Sequence, residues 1–192
     1  MKFFFVRDYK GRTRYFSSDP AKPIQVNFSK SREVWELAKK KLMLLPHRTL
    51  RMEQAFERVL RLKVGCLPIV YADSTDKSKI RLLFSLFLQK QRTTHILVLA
   101  GEAVLVPISG LAAVLPGPNI AFYALALLMI TQWLALRGIN RTIKAEHEFI
   151  PDPLLAAWEE AVRGGEVERY PEVLASIENA YNIKDIRKIL YK

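Results

Sequence analysis

Cysteine is almost absent: Cys66 is the one such residue in a chain of 192. No disulfide can close within it, which excludes the cross-linked scaffolds of small secreted domains and favours a reducing compartment or indifference to redox. The neighbours in "KVGCLPIVY" are apolar, so this thiol reads as a small buried hydrophobe. Histidine is nearly as scarce. His47, His95 and His147 stand far apart and none belongs to a ligand-spaced pair, so no metal is expected. Also missing are a nucleophile elbow, a phosphate loop and a paired-carboxylate site. The expectation is therefore a protein that is not an enzyme, with no cofactor, and no small-molecule substrate can be assigned.

Charge is missing over one long stretch. From Ile96 to Leu136 there is a single formal charge, Glu102, in 41 positions. The rest of the chain is strongly charged, and asymmetrically so. Residues 1–94 hold 21 Lys and Arg against 8 Asp and Glu, whereas residues 137–192 hold 9 against 10. The basic excess lies wholly before the apolar region, where it suits nucleic acid, an anionic lipid surface or the setting of membrane topology. No nucleic-acid-reading motif accompanies it, and the basic residues are spread over amphipathic helices, so no nucleic-acid partner is expected.

The start, "MKFFFVRDYKGRTRYF", is too short in its apolar part for a secretory signal and reads as a β-hairpin within residues 1–18. Phe3, Phe5 and Arg7 alternate with Phe4, Val6 and Asp8, and the turn falls at Lys10-Gly11. Pro20 and Pro23 then deny continuous helix. A basic helical region is expected over 29–93: one helix in "SKSREVWELAKKKLMLL", a second in "RTLRMEQAFERVLRLK", a short extended piece in "CLPIVYADS", and a third helix in "TDKSKIRLLFSLFLQKQR". Past the apolar region, residues 151–192 read as helical. Asp152 caps and Pro153 opens a helix that Gly164-Gly165 closes, and Asn182 separates two further short ones.

The apolar region, 95–137, is expected to be a transmembrane helical hairpin. Crossing ~30 Å of hydrocarbon takes roughly 20 helical residues. Ile96–Leu115 offers 20 and Ile120–Leu136 offers 17. Between them Pro116, Gly117, Pro118 and Asn119 supply a turn that no straight helix can run through. Lys90 and Arg92 before, with Arg137, Arg141 and Lys144 after, would set topology by holding both ends, and both termini, on the cytoplasmic or matrix side. Trp133 suits an interfacial aromatic. The competing reading is a hairpin buried in a soluble α-domain. Glu102 is the candidate ion- or proton-coupled residue, because an ionised carboxylate within a bilayer must be neutral, paired or wet. His95 lies two turns away on the same face, out of hydrogen-bond reach.

These residues resemble the mitochondrial K+-H+ exchange-related family, which has fungal and bacterial members. The likeness rests on the Phe-rich basic start, on Pro107, and above all on "LPGPNIAFY" at 115–123 followed by Trp133 and "LRG" at 136–138. Pro118, Asn119, Phe122, Trp133 and Gly138 match the pattern of a Pro-Asn turn, an aromatic pair, and a Trp and Gly near the end of the second helix. Coverage runs from about residue 60 to about 145. Ala121, Leu128 and Leu134 stand where fungal members tend to carry a second Pro and polar or basic residues. The resemblance implies participation in potassium-proton exchange across an inner membrane and identifies no catalytic residue.

The sequence thus predicts a mainly α integral membrane protein: a two-span helical hairpin flanked by helical polar regions, with a short N-terminal β-hairpin. Two helices enclose no polar pathway, so the expected role is an accessory or oligomeric component of cation homeostasis. It would act as a homo-oligomer or within a larger membrane complex, in contact with membrane lipid. The alternative is a membrane-anchored scaffold whose basic face binds anionic headgroups or a protein partner without transport.

Overall fold

The computed structural model describes residues 1–18, 47–61, 65–111, 120–183 and 186–191. The helix expected in "SKSREVWELAKKKLMLL" and the Pro116–Asn119 turn lie outside these residues. The chain forms two compact units, each discontinuous in sequence. The first comprises Met1–Ala21, Lys63–Leu86 and Lys144–Lys192; the second comprises Lys22–Leu62 and Phe87–Ile143.

The first unit is built on a four-stranded mixed sheet in the order β2-β1-β3-β4. Strand β1 (Phe3–Arg7) pairs antiparallel with β2 (Thr13–Ser17) and parallel with β3 (Cys66–Ala72), which pairs parallel with β4 (Glu146–Asp152). Four consecutive residues of β1, Phe3 to Val6, are buried, as expected of a strand covered on both faces. The β1–β2 turn is held by Asp8, whose Oδ1 accepts from the backbone N–H of Lys10 (3.0 Å) and Arg12 (2.8 Å), while Gly11 takes a φ of 70° that suits glycine. Pro68 sits in β3 one residue before the ladder to β1 begins at Ile69, where that strand has a single neighbour.

Helices cover both faces of this sheet. On one side Phe84, from the start of a long helix, meets Phe3 (ring centroids 6.2 Å) and His147 (5.3 Å), and Tyr15 Oη donates to the Leu83 carbonyl (3.1 Å). On the other, Phe4, Val6, Phe16 and Val70 form a core with Leu155, Trp158, Leu174, Ile177 and Ile186 of the C-terminal helices. The first of these, Pro153–Gly164, is capped by Asp152, whose side chain accepts from Leu155 N–H, and it ends at Gly165 in the left-handed region. The second, Tyr170–Tyr181, follows a short 3-10 turn and ends at Asn182, also left-handed; the third is Ile186–Leu190. In chain order the helices are α1 (His47–Arg61), α2 (Lys77–Leu111), α3 (Ile120–Lys144) and then these three, α4 to α6.

In the second unit α1 packs on the last turns of α3. Ala55, Phe56 and Val59 are buried from α1, and Ala135, Leu136 and Ile139 from α3. Arg141 Nη1 donates to the Leu60 carbonyl (2.9 Å), satisfying an orphan acceptor near the end of α1, and the buried Thr142 Oγ1 donates to the Gly138 carbonyl (2.9 Å).

Two expectations are corrected. The protein is α/β, not mainly α: the N-terminal hairpin is half of a mixed sheet whose other half is the "CLPIVYA" segment and the strand "EHEFIPD". And among the described residues no helix is long and apolar enough to cross a membrane, so the transmembrane hairpin with spans at 96–115 and 120–136 does not stand. Length is present, at 35 and 25 residues, but an unbroken apolar stretch is not. Helix α2 carries Lys90, Arg92, Thr93, Thr94 and His95 before Ile96, then Glu102 and Pro107; α3 carries Thr131 and Gln132 and closes on Arg137, Arg141 and Lys144.

Candidate functional site

The chemistry-bearing groups of the second unit collect along α2 and α3. His95 is buried on α2, and its Nδ1 hydrogen-bonds the Gln132 side-chain amide on α3. Burial lowers the pKa of His95 below its ordinary value, and the Gln132 bond opposes only part of that shift. Seven residues further on, two turns along the same face, stands Glu102. Its Oε2 is sealed from solvent without a hydrogen-bond partner, and burial pushes its pKa up. A neutral imidazole held against α3 and a carboxyl biased toward its protonated form thus lie two turns apart on one face of α2. Thr131 stays within its own helix, donating to the Leu128 carbonyl (2.7 Å).

Of the basic residues tied to topology, Lys90, Arg92, Arg137 and Lys144 are exposed, and Arg141 carries the bond to Leu60. Trp133 is exposed too. The residue that sequence reasoning missed is Gln132. Its signal was the Thr131-Gln132 pair, the polar interruption of the second apolar run, set against His95 before the first.

The first unit has polar groups of another kind. At the carboxyl end of β1, Glu159 Oε1 accepts from Arg7 N–H (3.0 Å) and Trp158 Nε1 donates to the Arg7 carbonyl (2.7 Å), so two adjacent α4 side chains hold both backbone polar groups of one residue. Asp8 is fully buried; burial alone would raise its carboxyl, but bonds from Arg12 and Lys10 N–H and from the Arg14 guanidinium (Nε at 2.7 Å) hold it below the ordinary aspartate value. Asp152 joins its capping role to a bond from Tyr181 Oη. These groups hold the sheet, and of the Glu159 carboxylate only Oε1 is engaged, Oε2 being buried without a hydrogen-bond partner. Cys66, expected to be buried, is exposed at the first residue of β3.

Among the described residues no group of three or more His, Cys, Asp or Glu side chains is placed to hold a metal ion. What the His95–Glu102 face of α2 can do chemically is exchange a proton at either residue. No family model, curated protein or solved structure matches this chain.

Proposed function

We propose that the protein is a non-catalytic accessory component of potassium-proton exchange at an inner membrane, a scaffold for the exchanging machinery and not the ion path. The observation that carries this reading is the Glu102 carboxyl, whose Oε2 is buried and unpartnered on the same helix face as His95. Such a group takes up or releases a proton at the cost of repacking its neighbours, which links that face of α2 to proton activity. The likeness of Pro107, Pro118, Asn119, Trp133 and Gly138 to the exchange-related family supports the same direction. An ion path across a bilayer needs spanning elements, and α2 and α3 supply none; the path therefore belongs to a partner in a larger assembly.

The test is potassium-driven proton flux in inner-membrane vesicles with and without the protein, beside liposomes that hold the protein alone. Flux is expected to fall when the protein is removed, to be nil in the liposomes, and to change its pH dependence with Glu102→Gln. Unaltered flux in vesicles lacking the protein overturns the reading, and flux through the protein alone overturns the accessory role.

A further inference from the structure

The second unit combines two surface properties that rarely coincide. Helix α2 exposes Leu97 (67 %) and Val104 (65 %), seven residues apart on one stripe, with Ile96 and Leu105 beside them; α3 exposes Ile130 and Trp133 (54 %). Scattered exposed apolar residues are ordinary, but Lys90, Leu97 and Val104 follow one another at seven-residue spacing along one stripe of α2, a cation at the head of an exposed apolar line. The second property is charge. Phe87–Ile143 holds four Lys and Arg, Lys90, Arg92, Arg137 and Arg141, against one acid, a net +3. Between Phe87 and Ile143 the sole acid is Glu102. Lys90 and Arg92, one to two turns before Ile96, and Arg137, one turn past Trp133, are all exposed. The bond between His95 and Gln132 brings those three cations to the same end of the helix pair.

We infer that this face of α2 and α3 docks peripherally on an anionic lipid surface, with Leu97, Val104, Ile130 and Trp133 in the headgroup layer and Lys90, Arg92 and Arg137 on the phosphates. An apolar helix face bordered by Lys and Arg gains from acyl burial and from headgroup charge together, and Trp prefers that boundary. A second copy is the poorer occupant, because Phe87–Ile143 carries four Lys and Arg against Glu102 alone and a copy would bring like charge to like. Peripheral docking asks no helix to span. It is independent of the exchange reading: lipid binding can fail with flux dependence intact, and the reverse.

Co-sedimentation of the full chain with vesicles tests this, comparing phosphatidylcholine alone with phosphatidylcholine plus phosphatidylglycerol. Binding is expected to the mixed vesicles, to fall at high salt, and to be released by alkaline carbonate. Each of Lys90→Glu and Arg137→Glu is expected to weaken partition by at least roughly fivefold. Trp133 emission is expected to shift to the blue on binding, a change lost in Trp133→Phe. Leu97→Ser with Val104→Ser, both at exposed positions, is expected to abolish binding while leaving the circular dichroism unchanged. Equal binding to both vesicle types, no binding to either, retention through carbonate, or self-association that Leu97→Ser abolishes would each overturn the proposal.

Discussion

Gly138 of α3 lies so close to Phe56 of α1 that a β-carbon at position 138 would stand 2.0 Å from the Phe56 carbonyl oxygen. The neighbour is backbone, which cannot rotate aside as a side chain would. The glycine of "LRG", one of the residues on which the family likeness rests, thus has a physical reason to be there: the two helices cross where only a hydrogen fits.

Gly138→Ala is accordingly expected to force α1 off α3 and to cost at least about 1–3 kcal/mol, the usual range for overpacking. Urea denaturation of the two proteins reads this as a lowered midpoint. An unchanged midpoint would mean that the helices do not approach so closely.

The clamp on Arg7 makes a second prediction. Trp158→Phe keeps an aromatic ring at this buried position but removes both the donor to the Arg7 carbonyl and part of the packed volume, for an expected loss of at least about 1–3 kcal/mol, the cost of the unpaired acceptor alone. Glu159→Gln keeps an acceptor for Arg7 N–H and is expected to cost less than Glu159→Ala. Amide exchange at Arg7 reports both, accelerating in Glu159→Ala more than in Glu159→Gln.

Asp8 gives acid sensitivity with a definite sign. Its folded-state pKa lies below the ordinary 3.8, so the unfolded chain takes up the proton first as pH falls. The stabilisation is complete above that ordinary value and is lost progressively as pH drops through the depressed one. Asp8→Asn is expected to be less stable than the native protein at neutral pH, with the gap narrowing in acid. A gap that stayed constant from neutral pH into strong acid would contradict this role.

His95 and Glu102 are expected to pull in opposite directions. The His95 pKa is lowered from 6.5, so its contribution is present above that value and is lost as pH falls through the lower folded-state one. The Glu102 pKa is raised from 4.5, so its contribution is present below that value and is lost as pH rises through the higher folded-state one. Glu102→Gln is then expected to stabilise the protein at neutral pH, and the His95 ring signals to titrate below 6.5 by NMR. A destabilised Glu102→Gln would show that the ionised carboxylate has a partner.

Punctuation was legible in the sequence and context was not. Asp152-Pro153 and Gly164-Gly165 bound α4, and Asn182 ends α5, because caps and left-handed stops depend on the chemistry of one or two residues. Strand β4 was missed because "EHEFIPD" has Glu146 and Glu148 exposed along an edge and a proline near its end, so little in it looks like a strand until β3 lies beside it. The third helix of the basic region and the first apolar run, read as separate elements, are one continuous helix. Thr93, Thr94 and His95 change the polarity of the chain but not its conformation, so α2 is one helix of 35 residues. Hydropathy along that helix suggested a lipid interior. Glu102 could be singled out from its isolation, but the bond between His95 and Gln132, 37 positions apart, is a tertiary fact.

Tyr9 N–H donates to the Leu190 carbonyl at 3.0 Å, and the two residues are 181 positions apart. During synthesis at roughly 5–20 residues per second, the aromatic strand made first must wait on the order of ten seconds or more for that partner to leave the ribosome. Phe4 and Phe16 are without their C-terminal cover in that interval, so the nascent chain is a natural client for a holding chaperone. Cover for those two rings arrives in stages, with Leu155 and Trp158 first and Leu174, Ile177 and Ile186 after them.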